Sequence, residues 1–129
     1  MTVRIVRLGT PRLPTEGLRI GTVRRPPRGV PKTEFASRDF YDVWLPTVAP
    51  SQEAMDMAHA ATTPAQWRAF LRRYRSEMQR PDAAHAIALL AALSQGTDFS
   101  VGCYCEDEAH CHRHELRRLL LDAGAKVAD

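Results

Sequence analysis

The chain has 129 residues and a mass of 14.5 kDa, with 44% apolar and 26% charged residues, values that exclude a disordered or fibrous polymer. We expect one domain over residues 1–129, large enough to bury a core without disulfide bonds. No apolar run approaches the roughly 20 residues of a membrane helix, and the charged start MTVRIVRLG is unlike a signal peptide. We therefore expect a cytoplasmic protein with no membrane contact.

The charge is distributed unevenly along the chain. Residues 1–38 hold nine Lys or Arg against two Glu, a net +7, whereas residues 39–129 carry a net −4, which leaves +3 for the whole chain. A basic N-terminal third favours an anionic partner, such as a small phosphorylated or carboxylated ligand, a nucleotide or a nucleic-acid backbone. The alternative is a basic surface that only contacts solvent.

Two short strands are predicted near the start of the chain. Apolar residues alternate from Val3 to Leu8, and a second apolar run covers residues 18–23. Prolines end the second strand, because they lack the amide hydrogen that a sheet interior needs. The following loop RRPPRGVPK, residues 24–32, carries four positive charges. Residues 41–45 form an apolar patch that we expect to be irregular.

Helices are predicted from Ser51 onward. Ser51 is expected to cap a helix that runs to about Ala60. The sequence TPAQ, residues 63–66, is a strong start signal for a second helix, with a Thr cap, Pro at the first helical position and Gln three residues after the cap. Asp82 is expected to cap a third helix, which Gly96 ends.

The C-terminal part returns to a strand and a helix. Residues 98–104, DFSVGCY, are typical of a buried strand, and a last helix is expected from about Ala109 to Gly124, followed by an edge strand within residues 125–128. No tight hairpin turn joins any two strands, which favours parallel pairing. We therefore predict an α/β fold with a small, mainly parallel sheet of three to four strands flanked by about four helices.

All three cysteines lie in the segment GCYCEDEAHCHRHE, residues 102–115, together with three histidines. This segment joins a strand to a helix, and open α/β sheets bind ligands at the carboxyl ends of their strands. In the first hypothesis Cys111 is a reactive thiolate, because a helix N-terminus lowers the pKa of a thiol. His112 would accept a proton, and Arg113 would orient an anion beside the helix.

Three other interpretations of the segment stay open. Thiolates and imidazoles are suitable ligands for zinc or iron. The candidate ligands are Cys103, Cys105, Cys111 and one of His110, His112 or His114. In a redox switch, Cys103 or Cys105 would resolve an oxidised Cys111. In the third interpretation the segment has no chemical role: Cys103 only packs as a small apolar side chain, and the histidines are exposed.

Several segments also carry a likeness to a known family. They are RIGTVRRPPRGVPK at 19–32, FYDVWLPTVAPS at 40–51, the pair Phe70 and Tyr74, and the Cys-His-Arg triplet at 111–113. On these motifs the chain resembles the uncharacterised bacterial family called domain of unknown function 488, which includes the YeaO-like proteins. The resemblance covers most of the chain. It implies a small α/β fold with a polar cleft that can support catalysis, and it brings no established substrate.

One position departs from the pattern of that family. Many of its members carry Cys-x-Glu upstream of the Cys-His-Arg triplet. Here Cys103 matches the Cys of that motif, and Cys105 occupies the place of the Glu. The departure weakens a carboxylate role at this position and favours a site with three thiols.

Taken together, the sequence predicts a shared cleft. Arg24, Arg25 and Arg28 follow one strand and the Cys-His-Arg junction follows another, so both would lie at the same edge of a parallel sheet. Such a cleft favours a thiol-dependent enzyme acting on a small phosphorylated or carboxylated substrate. The alternatives are a zinc or iron module without catalysis and a nucleic-acid-binding accessory protein.

Overall fold

A single parallel sheet organises the computed structural model, which describes residues 1–105 and 110–128. Its strands are β1 (Val3–Arg7), β2 (Leu18–Gly21), β3 (Val43–Trp44), β4 (Phe99–Cys103) and β5 (Val127–Ala128). Their order is β3-β2-β4-β1-β5, and every neighbouring pair is parallel. The predicted α/β class and parallel pairing are confirmed.

The described part of the sheet has five strands rather than three to four. The extra strand is β3, in the apolar patch for which we predicted irregular structure. It pairs with Ile20 and Gly21 of β2, and the Leu45 amide extends the pairing by donating to the Gly21 carbonyl at 2.9 Å. Two residues are too few to produce an alternating pattern, so this strand depends on its neighbour rather than on its own sequence.

The described residues form four helices, as predicted, and these pack against the sheet face that carries Val3, Phe99 and Val101. They are α1 (Gln52–Ala60), α2 (Pro64–Met78), α3 (Pro81–Leu93) and α4 (His112–Asp122), with short 3-10 turns at Lys32–Glu34 and Pro46–Val48. The Ser51 hydroxyl accepts from the Ala54 amide, and Thr63 and Gln66 form the expected reciprocal capping box. Within the described residues no helix has the length and apolar character needed to cross a bilayer.

Two predicted helix boundaries are wrong at α3. The helix begins at Pro81 with Arg80 in the capping position, and no side chain caps it. Proline prefers the first helical position, which moves Asp82 inside the first turn, where it can interact only with the helix dipole. The helix ends at Leu93, before Gly96.

The predicted start of the last helix is also wrong. Ala109 lies outside the described residues, as do the neighbouring acidic residues 106–108, and α4 begins at His112 with Cys111 as its N-cap. Cys111 therefore precedes the first helical turn. The predicted edge strand is confirmed as β5.

The core is built around β4, the central strand. All five of its residues are buried, because β1 and β2 flank it, helices pack on the face of Phe99 and Val101, and the loops that carry Glu16 and Tyr41 cover the other face. Phe70 and Tyr74 of α2 and Leu116 of α4 belong to the main cluster. A smaller cluster at the carboxyl ends of the strands contains Leu8, Val23, Tyr41, Cys103 and Cys111. The buried cysteines are thus part of the packing as well as of the candidate site.

Replacing Gly102 tests the close approach of β1 and β4. A Cβ at this position would overlap the carbonyl oxygen of Val6 and lie 2.9 Å from its Cγ2. Because backbone cannot move aside cheaply, we expect Gly102→Ala to lower the free energy of unfolding by about 1–3 kcal/mol, measured by urea denaturation. The control is Gly96→Ala, where a Cβ meets nothing within 4 Å. Equal stability of the two variants would contradict the described strand contact.

Candidate functional site

Parallel pairing of β2 and β4 brings the basic loop to the cysteine junction. Gly21 is paired with Gly102, so both chains leave the sheet at the same edge. The amide and the hydroxyl of Thr22 each donate to the Gly102 carbonyl at 3.0 Å, and the Tyr104 hydroxyl donates to the Arg25 carbonyl at 2.9 Å. The two segments are therefore held side by side.

His112, the first residue of α4, completes this connection. Its Nε2 lies 2.7 Å from the Thr22 carbonyl oxygen, which can only accept, so Nε2 carries the hydrogen. The other nitrogen, Nδ1, is then an acceptor, and it lies 3.7 Å from the Cys111 Sγ. Burial lowers the pKa of His112 to about 4, against the opposing effect of the Thr22 hydrogen bond. The imidazole is therefore neutral at neutral pH.

The three cysteines converge but differ in exposure. Cys103 ends β4 and Cys111 caps α4; both are buried, and their Sγ atoms are 2.6 Å apart. Cys105 is exposed. Its sulfur is not part of the group that the ligand atoms of Cys103, Cys111 and His112 form within 4.8 Å of one another. The cluster thus presents one sulfur to solvent and keeps two behind it.

Hydrogen bonding decides which sulfur carries the negative charge. Hydrogen bonding with Cys103 and Cys111 lowers the pKa of Cys105 to about 2, and the charge of Arg113 acts in the same direction. Hydrogen bonding with the other two sulfurs, together with burial, raises the pKa of Cys103 far above its ordinary value. For Cys111 the bond from Cys103 lowers the pKa, but donation to Cys105 and burial outweigh it and raise the value to about 11. The thiolate of the cluster is therefore Cys105.

A pocket of about 460 Å³ opens beside this thiolate. The side of α1 that carries Gln52, Met55 and His59 forms one of its walls. The basic loop contributes Arg24, Arg25 and Arg28, and the junction contributes Cys103, Tyr104, Cys105 and His112. The structure thus brings the predicted ligand-binding arginines and most of the predicted junction residues into one cleft.

The three arginines of the loop are not equivalent. The Arg24 guanidinium donates to the carbonyls of Pro46, Ala49 and Pro50, so it holds the chain before α1 in place. Arg25 donates to the Gln52 side chain at 2.9 Å and is otherwise exposed. Arg28 is exposed at the pocket rim. Arg25 and Arg28 are the two that can turn to a ligand.

Arg113 and Cys111 lie behind the pocket instead of lining it. Arg113 is buried, and its Nη2 donates to the Cys105 carbonyl at 2.6 Å. Its Nε has no hydrogen-bond partner among the described residues. The guanidinium therefore fixes the backbone of Cys105 and adds positive charge beneath it.

A metal ion could be held by part of this cluster. Within residues 1–105 and 110–128, Cys103, Cys111 and His112 place their ligand atoms within 4.8 Å of one another. In metal sites a histidine typically donates one ring N–H to a carbonyl and binds the metal through its other ring nitrogen. However, two sulfurs bound to one tetrahedral zinc at ~2.3 Å are about 3.8 Å apart, so the buried pair would have to separate by about 1 Å.

The other two histidines of the segment do not join the cluster. His114 is exposed. The ring of His110 packs on Trp67 with a centroid distance of 5.8 Å, beside a separate pocket at the start of α2. Of the histidines proposed as ligands, only His112 faces the sulfurs.

Sequence reasoning overestimated the basic surface of the N-terminal third. Arg19 is 1% exposed, and its guanidinium donates to Glu16 and to the carbonyls of Thr10 and Asp39. Arg12 forms ion pairs with Asp39 and Asp42. Part of the charge excess is therefore structural.

The fold and the junction define a class: small parallel α/β proteins with a cysteine–histidine cluster at the carboxyl ends of the strands. Over residues 3–124 the chain matches the family model DUF488-N3a, described as the active DUF488-N3 subclade. The chain belongs to this DUF488 family, which confirms the resemblance seen in its motifs. Comparison with curated proteins and with solved structures gave no match.

The buried neutral state of His112 predicts a pH-dependent stability. In the unfolded chain the imidazole takes up a proton near its ordinary pKa of 6.5, whereas the folded chain resists it down to about 4. Stability is therefore complete above pH 6.5 and falls as the pH drops toward 4, by about 3 kcal/mol.

His112→Gln removes the imidazole, while the new side-chain amide can still donate to the Thr22 carbonyl. The loss of unfolding free energy between about pH 7 and about pH 4.5 should therefore be smaller in this variant than in the wild type. The matched control is His85→Gln, because His85 is exposed on α3. If the H112Q variant kept the full pH slope of the wild type, the buried neutral imidazole would be excluded.

Proposed function

We propose that this protein is a thiol-dependent enzyme that acts on a small phosphorylated or carboxylated substrate bound in the pocket beside Cys105. One observation carries the proposal: an exposed cysteine, beside the buried Cys103–Cys111 pair, opens into a cleft whose rim holds Arg25 and Arg28. An accessible thiolate is the nucleophilic form of cysteine. The description of the subclade as active supports an enzymatic role.

The nucleophile in this proposal is Cys105 rather than Cys111. Cys111, which the sequence hypothesis favoured, is 3% exposed, and its pKa is raised. Its sulfur lies 3.7 Å from His112 Nδ1, which can accept a hydrogen bond from the thiol and orient it. Arg113 is a positioning residue that holds the Cys105 backbone.

The arginines supply the affinity for an anion. A guanidinium matches the oxygens of a phosphate or carboxylate with two parallel hydrogen bonds. Arg25 and Arg28 stand on the loop that Tyr104 ties to the junction, so a bound anion lies near the sulfur. Arg24 contributes by keeping that loop against the segment before α1.

Alkylation tests which sulfur reacts. We expect iodoacetamide at mildly acidic pH to modify one cysteine per chain quickly, identified as Cys105 by peptide mass mapping, because the other two are neutral and buried. Cys105→Ser should abolish this fast reaction. Cys111→Ser keeps a hydroxyl donor and should retain most of it. Fast labelling of Cys111 instead, or no labelling until the pH exceeds ~8.5, would overturn the assignment.

The charge of the probe tests the anion pocket. Iodoacetate should modify Cys105 faster than neutral iodoacetamide, after each rate is divided by that of a free thiol, and the preference should weaken with salt. Arg28→Ala should reduce the preference several-fold, whereas Arg38→Ala, exposed and outside the pocket, should not. The same preference in both variants would remove Arg28 from the anion site.

A metal-binding module without catalysis is the second candidate, favoured by the grouping of Cys103, Cys111 and His112. Here Cys105 would serve as a fourth ligand to zinc or iron. This candidate predicts about one metal ion per purified chain and unfolding by a chelator, measured by elemental analysis and circular dichroism. A folded, metal-free chain with three titratable thiols would rule it out.

A further inference from the structure

We propose that the site catalyses thiol–disulfide exchange with the disulfide of a small carboxylated thiol, and that Cys111 and then Cys103 resolve the mixed disulfide formed on Cys105. This inference rests on the proposed function, because it needs Cys105 as the attacking sulfur. It adds the reaction type, the substrate class and a task for the two buried thiols.

The starting observation is the arrangement of the three sulfurs. A nucleophilic cysteine for acyl or phosphoryl transfer needs no second thiol, yet here two buried thiols lie in contact with each other, and one of them lines the same pocket as the exposed Cys105. The Cys103 and Cys111 sulfurs are 2.6 Å apart, not far from the ~2.05 Å of a disulfide bond. A pair of thiols in contact can supply the two electrons that reduce a disulfide.

In the first step the Cys105 thiolate attacks one sulfur of the bound disulfide. A bond forms between Cys105 Sγ and that sulfur, and the disulfide bond of the substrate breaks. The first small thiolate leaves with the electron pair and takes up a proton. Cys105 is the accessible sulfur of the cluster, which suits it to this encounter.

In the second step Cys111 attacks the sulfur of Cys105. His112 Nδ1, 3.7 Å from the Cys111 Sγ, accepts a hydrogen bond from the thiol and orients it. A Cys105–Cys111 disulfide forms, and the second small thiolate leaves and receives the proton of the Cys111 thiol. The Thr22 carbonyl holds Nε2–H at 2.7 Å and so keeps Nδ1 turned toward Cys111.

In the third step Cys103 attacks the Cys111 sulfur. The Cys103–Cys111 bond forms, Cys105 leaves as a thiolate, and the Cys103 proton passes to solvent. The sulfurs of Cys103 and Cys111 already lie 2.6 Å apart, so the buried disulfide forms with little movement and favours release of Cys105. In balance, one small disulfide and two protein thiols give two small thiols and one buried protein disulfide. A dithiol reductant is the class of co-reactant that returns the pair to its reduced form.

The pocket selects the class of disulfide. Arg25 and Arg28 at the rim match carboxylates, and a cavity of about 460 Å³ has room for part of a peptide-sized molecule. A disulfide that carries carboxylates should therefore react faster than one that carries ammonium groups.

The test is a single turnover of the reduced chain with oxidised glutathione, without any added reductant. We expect two glutathione molecules to be released per chain and peptide mapping to locate a Cys103–Cys111 disulfide. Cys111→Ser should stop at the mixed disulfide on Cys105, with one glutathione released. Cys103→Ser should release two glutathione molecules, and the reaction should stop at the Cys105–Cys111 disulfide.

Cystamine, a disulfide with two ammonium groups, tests the substrate class. Each rate is first divided by the rate at which the same disulfide reacts with a free thiol. On this scale cystamine should react at least about tenfold more slowly than oxidised glutathione, and Arg28→Ala should reduce this difference in rate. Arg38→Ala is the matched control. Equal corrected rates for the two disulfides would reject a carboxylated substrate.

The outcomes separate this inference from the proposed function. If Cys105 alkylates quickly but the wild-type chain releases a single glutathione and remains a mixed disulfide, the resolving role of the buried pair is wrong and the thiolate assignment stands. If Cys105 does not alkylate quickly, the proposed function itself fails. Release of two glutathione molecules by Cys111→Ser would also contradict the order of the steps.

Discussion

The hydrogen bond from His112 Nε2 to the Thr22 carbonyl is the interaction on which the candidate site depends. It joins the first residue of α4 to the first residue after β2, and it fixes the imidazole with Nδ1 facing Cys111. Because the ring is buried, it remains neutral and cannot bring a second positive charge into the cluster. Together with the hydrogen bond from the Tyr104 hydroxyl to the Arg25 carbonyl, this contact holds the basic loop against the cysteine junction.

Electrostatics explains why the three thiols divide their roles. Neighbouring sulfurs cannot all ionise, because nearby like charges raise each other's pKa. The charge is stabilised best on the sulfur that reaches solvent, through hydrogen bonding with the other thiols and the positive charge of Arg113, while the buried pair stays protonated. An exposed nucleophile beside two protonated thiols follows from the burial pattern and this hydrogen bonding together.

The sequence allowed the fold class and the meeting of the two segments to be predicted, but not the roles within the site. Local sequence rules were sufficient to predict the Thr63 capping box. The rule that the carboxyl ends of parallel strands meet at one edge of the sheet predicted that the arginine loop lies beside the cysteines. Which thiol is exposed depends on where the chain turns after β4. The internal bonds of Arg24 likewise depend on carbonyls more than 20 residues away. Such contacts leave no local pattern in the sequence.

Thiolate titration tests the central claim most directly. The ultraviolet absorbance of thiolates would be followed against pH in the wild-type chain and in Cys105→Ser, under reducing conditions without metal. The account predicts that the difference between the two reports one sulfur that is already ionised at mildly acidic pH, far below the ordinary ~8.5 of cysteine. A difference titration with its midpoint at or above that value would contradict the account.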